Sequence, residues 1–394
     1  MMMKKFTTKN QVRLLHCSPE FPKNLIETIN KARFFILLHT YICDDDEEVL
    51  PIFQALYKKA QEGIRVYVLV DAFGSQALSD SFFEQFKHEN FHYDFFERFL
   101  SFKFKHFGRR LHQKVLICDN TDAIIGGINL GKRFWNPDEG QAWIDYAIHI
   151  QGEEVSRIIR LSLILYLSYF PQIKQRIKNA RPHIYQHPTG EVKLVTYDND
   201  WMKFKNNITK AYIDSITRAK SEISLVASYF VPSTRLLKKL ALKARQGVKV
   251  ELILSGPTDV PLEKWSRRYL YHWMMKKGII IYEWKASVVH AKIALIDDSW
   301  VTVGSYNHNF ISKYDNLEMN TFVQDRDFAQ IIKKEIAFLK DNSELYNLEE
   351  WDAKRNFLTR FLEFFSYFLA TLISFISVTI TIRTKEKPLS EYLE

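Results

Sequence analysis

Cysteine is scarce in this sequence, and the three that it has, Cys17, Cys43 and Cys118, are an odd number without paired spacing. Disulfide frameworks and zinc sites need cysteines in pairs or quartets at short intervals. The sequence therefore favours neither kind of site. A reducing compartment suits it best.

Two other features are missing. The opening residues, MMMKKFTTKNQVRLL, contain the lysine pair Lys4 and Lys5 but no apolar run behind it, so no secretory signal peptide is predicted. No cluster of carboxylates, or of cysteine and histidine, has the spacing of metal ligands. We therefore predict a protein whose body stays in the cytosol and which uses no metal and no other cofactor.

The sequence does have length, hydrophobic content and positive charge. Its 394 residues suit two domains of common size, and a hydrophobic content of 46% is that of a folded protein. The formal net charge of +9 attracts anions such as nucleic acid, anionic lipid or a phosphorylated small molecule. Charge alone does not choose among these partners.

One long uncharged run, FFSYFLATLISFISVTITI, occupies residues 364–382, and six of its nineteen residues are serine or threonine. Its length is close to the ~20 residues that span a bilayer. Spanning the bilayer, lying in its interface and packing as a buried helix are all open. Basic residues on both sides favour the interface of the cytoplasmic leaflet of the inner membrane.

Two stretches share a pattern of histidine, lysine, aspartate, glycine and asparagine. They are LHQKVLICDNTDAIIGGIN at 111–129 and VHAKIALIDDSWVTVGSYN at 289–307. Histidine and lysine two positions apart on a strand point to the same face. A lone histidine on a strand is usually structural, but two copies in matching contexts indicate function. The candidate residues are His112, Lys114, Asp119 and Asn129 in the first copy and His290, Lys292, Asp297 and Asn307 in the second.

The repeat extends beyond these motifs. In the first half, FFILLHTYI at 34–42 reads as a buried strand, and a helix ends near Gly63 before a second strand. ISLVASYFV at 223–231 and Gly247 repeat this order. Alternating strands and helices predict parallel sheets flanked by helices. A boundary in NARPHIYQHPTGE divides the chain into a first half at 1–182, a second half at 183–345 and an apolar, membrane-associating tail at 346–394.

Two H-x-K-x4-D motifs, each followed by G-[GS]-x-N, resemble the signature of the phospholipase D superfamily. Along the chain, segments such as LVDAFGSQALSDSFF and VGSYNHNFISKYDNLEMN resemble its bacterial cardiolipin synthase B branch. The resemblance implies two similar phospholipase D-like α/β domains. Each has a mixed, largely parallel sheet flanked by helices, and the active site lies between the halves.

The sequence departs from this pattern in two places. The expected W-R-D reads Trp143, Ile144 and Asp145, and an arginine often found before Ser312 is Ile311. In that branch the serine is followed by an N-x-E, which here is Asn316 and Glu318. The departures concern headgroup binding and leave the residues of the catalytic centre unchanged.

Displacement at a phosphodiester needs a neutral imidazole to attack phosphorus and a protonated one to release the leaving alkoxide. Two histidines fill these roles, while the two lysines and two asparagines bind the non-bridging oxygens. The resemblance makes His112 the nucleophile. It also pairs each histidine with a carboxylate of the other half, although an ordinary surface position remains the alternative for both carboxylates. The predicted pairs are His112 with Glu318 and His290 with Asp145, while Asp119 and Asp297 face away from the phosphate as supports.

The resemblance implies transfer of a phosphatidyl group from one phosphatidylglycerol to another, with glycerol released and cardiolipin formed. Other phospholipid or alcohol acceptors, an anionic membrane surface and no nucleic acid are the expected partners. The alternatives are a hydrolase of phospholipids, a nuclease, and a non-catalytic binding module. Intact motifs in both copies count against the binding module, and the uncharged tail counts against the nuclease.

Basic and aromatic residues alternate at 102–112 and at 264–278. Such stretches suit anionic lipid headgroups at a membrane interface. They suit single-stranded nucleic acid equally well. A helix with one buried aromatic face is the third interpretation of the second stretch.

Overall fold

The computed structural model describes residues 5–98, 109–173, 190–200, 205–309 and 316–383, with side chains as far as residue 373. Ser312, most of the basic stretch at 102–112 and most of the predicted boundary segment lie outside these residues.

The first half of the chain alternates strands and helices. Its strands are β1 (Asn10–His16), β2 (Phe35–Thr40), β3 (Arg65–Asp71), β4 (Phe91–Phe96), β5 (Arg110–Leu111), β6 (Lys114–Cys118), β7 (Asp122–Gly126) and β8 (Tyr146–Gly152). Its helices are α1 (Glu20–Lys31), α2 (Leu50–Gln61), α3 (Asp80–Glu84), α4 (Lys132–Trp135) and α5 (Glu153–Tyr169).

The second half repeats this order and then adds further helices. Its strands are β9 (Lys193–Asp200), β10 (Lys205–Asn206), β11 (Glu222–Ala227), β12 (Lys249–Ser255), β13 (Ile280–Trp284), β14 (Lys292–Ile296), β15 (Trp300–Gly304), β16 (Asn316–Gln324) and β17 (Ser343–Leu345). Its helices are α6 (Asn207–Arg218), α7 (Thr234–Arg245), α8 (Pro261–Lys276), α9 (Arg326–Asp341), α10 (Leu348–Ala353) and α11 (Phe357–Arg383).

Each half builds one mixed sheet. The first has the order β1-β8-β7-β6-β2-β3-β4, and the second has the order β10-β9-β16-β15-β14-β11-β12-β13-β17 with β5 paired to β16. The predicted parallel pairs are present as β2-β3-β4 and β11-β12-β13. The two halves and the helix-flanked mixed sheets are therefore confirmed.

The expectation of largely parallel sheets needs correction, because most of the described strand pairs are antiparallel. Each motif strand, β6 or β14, pairs antiparallel with the strand on either side of it. A short turn after the motif aspartate joins β6 to β7 and β14 to β15, and so short a connection can only give a hairpin. Apart from the short parallel pair of β5 with β16 between the halves, the described parallel pairs join strands that a helix connects.

The predicted helix ends near Gly63 and Gly247 are present. Helix α2 ends at Gln61 and helix α7 at Arg245, and both glycines have φ near +85°, at 86° and 85°. Only glycine adopts this left-handed conformation without steric cost, so the chain turns here from helix to strand at matching places in both halves.

The two sheets face each other across a shared apolar core. This core takes residues from the motif strands of both halves, among them Ile117 and Leu295, and from helices α5 and α9, among them Ile158 and Ile332. Each sheet packs a second, separate core on its other face. Burying one face of each sheet against the other brings the two motifs together.

The apolar run at 364–382 lies in α11, whose first turns pack on α8. The ring of Tyr269 on α8 stacks on Tyr367 at 4.9 Å and meets Phe364 at 5.8 Å. The second basic aromatic stretch forms helix α8, which buries Tyr271 on its inner face and leaves Tyr269 and Trp273 each 36% exposed. Within the described part of the chain, no helix combines the length and apolar character needed to cross a membrane.

Candidate active site

The two motif histidines each lie two residues before a lysine that begins a central strand. His112 precedes β6 and His290 precedes β14, and both imidazoles are buried. The residue before each histidine is fixed by a side chain at the end of a parallel strand. The Leu111 N–H donates to Asp71 Oδ2 at 2.7 Å, and the Val289 N–H donates to Ser255 Oγ at 2.8 Å.

Each histidine is also held by the backbone of the opposite half. The His112 N–H donates to the carbonyl of Leu317 at 3.1 Å, and the His290 N–H donates to the carbonyl of Ile144 at 2.8 Å. A reciprocal exchange of this kind sets the distance between the two histidines through main-chain geometry. The carboxylate residues Glu318 and Asp145 follow these carbonyls directly in the chain.

The imidazoles meet carboxylates across the same interface. His112 Nδ1 lies 2.9 Å from Glu318 Oε2, and His290 Nδ1 lies 2.6 Å from Asp145 Oδ2. An ionised carboxylate only accepts hydrogen bonds, so each Nδ1 carries the hydrogen and each Nε2 keeps a free lone pair. Both carboxylates are at most 3% exposed, which excludes the ordinary surface position considered from the sequence.

The two carboxylates are supported differently. Glu318 accepts hydrogen bonds from Ser305 Oγ and, at 3.1 Å, from Asn316 Nδ2. Asp145 accepts one from the Tyr146 N–H at 2.8 Å. Gly127, which stands where the second motif has Ser305, lies against Asp145, and a Cβ there would be 2.3 Å from its Oδ1. Glycine in one copy and serine in the other therefore follow from the carboxylate that each contacts.

The lysines lie beneath the imidazoles. Lys114 Nζ donates to the His112 carbonyl at 2.6 Å, and Lys292 Nζ donates to the His290 carbonyl and lies 3.0 Å from His290 Nδ1. Burial and the neighbouring Lys292 lower the pKa of Lys114 to about 7, and burial lowers the pKa of Lys292 to about 8. The lowered pKa values mean that the positive charges of the two lysines are poorly stabilised by their surroundings. An anion bound beside them would stabilise these charges, so the site favours anion binding.

The same forces keep both imidazoles neutral when no anion is bound. Burial lowers the pKa of His112 to about 4, against the raising effect of Glu318. Burial and the charge of Lys292 also lower the pKa of His290. A phosphodiester placed between the two rings would raise both pKa values, because a nearby negative charge favours the protonated form. Protonation is therefore coupled to substrate binding.

The motif aspartates hold the neighbouring strand in place. The Asp119 carboxylate accepts hydrogen bonds from the backbone N–H groups of Arg33, Phe34 and Phe35 at 2.8 to 3.0 Å. Asp297 does the same for the N–H groups at 220–222, at 2.8 to 3.2 Å. Both have positive φ, 56° and 51°, which turns each carboxylate toward the start of β2 or β11. These hydrogen bonds reach backbone N–H groups and no motif histidine or lysine, as the supporting role predicted from the sequence requires.

The asparagines differ in how they are used. Asn129 Oδ1 accepts a hydrogen bond from the Ile42 N–H at 3.3 Å, which links it to the end of β2. Asn307 is 4% exposed, and its Oδ1 is buried without a partner. A buried polar atom without a partner is uncommon and often belongs to a ligand site.

The comparisons with known proteins agree with this geometry. A family model described as the phospholipase D-like domain of cardiolipin synthase matches residues 25–157 and 212–339. A cardiolipin synthase B of Salmonella typhi is 33% identical over 327 residues, 82% of this chain and 79% of its own length. The chain belongs to the cardiolipin synthase family of phospholipase D-like proteins.

Two other proteins extend the comparison. The major cardiolipin synthase ClsA of Bacillus subtilis is 30% identical over 360 residues, 88% of this chain and 72% of its own length. The crystal structure of a phosphatidylserine synthase of Haemophilus influenzae superposes with a TM-score of 0.71. It covers 94% of this chain and 96% of its own at 14% identity. The second comparison shows that the fold is shared.

Sequence reasoning missed several residues of this family member's site. Tyr41 and Tyr229 follow β2 and β11 at equivalent places. The ring centroid of Tyr41 lies 5.0 Å from that of His112, and the ring centroid of Tyr229 lies 6.1 Å from that of His290. Trp143, which the sequence marked only as part of the expected W-R-D pattern, has its ring centroid 5.4 Å from that of His290. The signal that could have found the tyrosines is the repeat itself, because both stand just after the first parallel strand of their half. Asp71 and Ser255 left no such signal, since their residue types differ.

Proposed function

We propose that the protein is a cardiolipin synthase that transfers the phosphatidyl group of one phosphatidylglycerol to a second through a phosphohistidine. The observation that carries this proposal is the pair of buried imidazoles, each with Nδ1 bound to a carboxylate of the opposite half and Nε2 left free. One phosphodiester is exchanged for another, so no nucleotide is needed.

In the first half-reaction, His112 Nε2 attacks the phosphorus of the donor lipid. A P–N bond forms and the P–O bond to the glycerol headgroup breaks. His290, protonated once the anionic substrate is bound, gives its Nε2 proton to the departing glycerol oxygen. Lys114, Lys292, Asn129 and Asn307 stabilise the negative charge on the non-bridging oxygens.

In the second half-reaction, the headgroup hydroxyl of another phosphatidylglycerol enters the space left by glycerol. His290 Nε2 takes its proton, the oxygen attacks phosphorus, and the P–N bond to His112 breaks. Cardiolipin leaves, and His290 is protonated again for the next cycle. Glu318 and Asp145 keep the two rings in the required tautomer and stabilise them when they carry positive charge.

We also propose that residues 346–394 attach the protein to the cytoplasmic face of the inner membrane, peripherally or as a monotopic protein. Several large apolar side chains of α11 are exposed, among them Phe361, Phe365 and Phe368 at 53%, 47% and 53%. Exposed aromatic residues on one side of a helix favour the boundary between headgroups and acyl chains. Attachment there would concentrate both lipid substrates at the site.

The decisive experiment is to incubate the purified full-length protein with phosphatidylglycerol alone in detergent and to identify the products by mass. Cardiolipin and glycerol in equal amounts support the proposal. Phosphatidic acid as the main product would identify a hydrolase with the same centre, because water would then win the second half-reaction. The His112→Ala protein is the control for contaminating activity.

Charge neutralisation is assigned to lysines and asparagines, so a chelator should leave the transfer rate unchanged. The measurement compares initial rates before and after extensive treatment with a divalent-metal chelator. A loss restored by one particular divalent ion would contradict the assignment.

A further inference from the structure

A cavity of about 530 Å³ lies between α7, α8 and the start of α11. Its walls include Lys238 of α7, Tyr269 and Trp273 of α8, and Arg360 and Tyr367 of α11. None of these residues belongs to the active site described above. The volume suits a phosphate-bearing headgroup with part of its acyl chains.

The cavity carries positive charge that its own carboxylate does not neutralise. Asp352, the carboxylate in the wall, lies 2.9 Å from His272 Nδ1 and 3.5 Å from Arg355. Arg355 is further held by Glu363 at 2.6 Å. Among the described residues, Lys238 and Arg360 contact no carboxylate, and Arg360 donates only to the carbonyl of Asp352 at 3.3 Å. Both side chains are exposed, so two cations are free to bind an anion.

Aromatic rings and an exposed apolar helix face lie directly beside these cations. Tyr269 stacks on Tyr367 at 4.9 Å, and Trp273 is 36% exposed. Phe361, Phe365 and Phe368 lie three and four residues apart and thus share one face of α11, next to the face that carries Arg360 and Tyr367. Cations beside amphipathic aromatic rings and an exposed apolar helix face match the layers of a bilayer surface, with phosphates above acyl chains.

We propose that this cavity binds the headgroup of an anionic phospholipid in the bilayer, at a site separate from the active centre. Lys238 and Arg360 hold the phosphate, and Tyr269, Trp273 and Tyr367 contact the glycerol backbone and the first acyl carbons. The site fixes the membrane against one defined face of α7 and α8. It needs no catalysis, so it stands whether or not the protein forms cardiolipin.

The test measures vesicle binding of the full chain in a His290→Ala background, where turnover does not change the lipid. Cosedimentation is compared for phosphatidylcholine vesicles with and without phosphatidylglycerol. The double variant Lys238→Gln, Arg360→Gln removes both cations. The matched control, Arg326→Gln with Lys334→Gln, removes two exposed cations from α9, for which the structure shows no carboxylate contact among the described residues.

The cavity variant should bind vesicles containing phosphatidylglycerol roughly tenfold or more weakly than the parent, and the control should bind within about threefold of it. Binding to pure phosphatidylcholine should be the same for all three proteins. An equal loss in both double variants would mean general attraction by surface charge and would overturn the proposal. Undiminished binding of the cavity variant would overturn it as well.

A second measurement separates this site from the active centre. In the parent protein with both histidines intact, the cavity variant should keep its transfer rate in detergent, where lipid reaches the site without a bilayer. It should lose rate on vesicles. An equal loss in detergent and on vesicles would show that the cavity residues act on the catalytic centre, which contradicts a separate membrane site.

Discussion

His112 and His290 sit on matching backbone frames, yet different side chains surround the two rings. In each frame the N–H of the residue before the histidine donates to a side chain at the end of a parallel strand. The histidine N–H donates to a backbone carbonyl of the opposite half. Around His112 stand Glu318, held by Ser305 and Asn316, and Tyr41. The two halves thus share the backbone hydrogen bonds that fix the positions of the histidines.

The second ring has another neighbourhood. His290 binds Asp145, lies near the rings of Trp143 and Tyr229, and has Lys292 Nζ 3.0 Å from its Nδ1. Side chains around a titratable group set its pKa, so two imidazoles in unlike surroundings can differ in pKa. A transferase needs this difference, because one ring must attack while the other donates a proton.

The largest effect should come from removing either ring. We expect His112→Ala and His290→Ala each to lower transfer by roughly 10³-fold or more, because each imidazole acts in both half-reactions. The double variant should be no slower than the worse single variant. Rates are measured on phosphatidylglycerol in detergent, and thermal unfolding checks the fold. Substantial activity in either single variant would contradict the two-histidine mechanism.

Exchanging the glycine and the serine that contact the two carboxylates should have unequal effects in the two halves. A side chain at Gly127 would displace Asp145, whereas Ser305→Gly only removes one hydrogen bond to Glu318. We expect Gly127→Ser to lower kcat by roughly hundredfold and Ser305→Gly by roughly tenfold. Steady-state kinetics on both variants make the comparison. Equal losses would mean that the two carboxylates are supported alike.

The lysines should give a pH dependence with two steps. Lys114, with a pKa of about 7, and Lys292, with a pKa of about 8, are charged below those values and neutral above them. We therefore expect kcat/KM, which reports the free enzyme, to fall as pH rises from 7 to 9, by roughly tenfold or more. Lys114→Gln should lower kcat/KM and remove the lower step. A profile that is flat between pH 7 and 9 would contradict the assignment.

The smallest effect on chemistry should come from the tail. Truncation after Trp351 should release much of the protein into the soluble fraction and lower activity on vesicles more than in detergent, since the catalytic residues are untouched. Fractionation and paired assays measure this, with full-length His112→Ala as the control for attachment without activity. A truncated protein that still sediments fully with membranes would place the attachment elsewhere.

The sequence predicted those features that repeat. The two halves, the motif strands and the helix ends at Gly63 and Gly247 followed from matching patterns, because the same local physics acts twice. The resemblance supplied the crosswise partners Glu318 and Asp145, which lie far from their histidines in the chain. Their roles in the reaction remain predictions.

Other features depend on tertiary contacts that no local pattern records. The antiparallel pairing of β6 and β14 depends on which strands become neighbours in the sheet. Asp71 and Ser255 make equivalent hydrogen bonds with different chemistry, so comparing the halves does not reveal them. The aspartates Asp119 and Asp297 belong to the motif by sequence, but their hydrogen bonds reach backbone that precedes another strand. Spacing identifies such residues and leaves their contacts undetermined.

The central claim is that the two unlike rings have unlike roles, with His112 carrying the phosphatidyl group. The most direct measurement is rapid quenching of the protein with phosphatidylglycerol, followed by peptide mapping of the phosphorylated histidine by mass spectrometry under non-acidic conditions. The account predicts the modification on the peptide that contains His112. A modified peptide that contains His290 instead would contradict it.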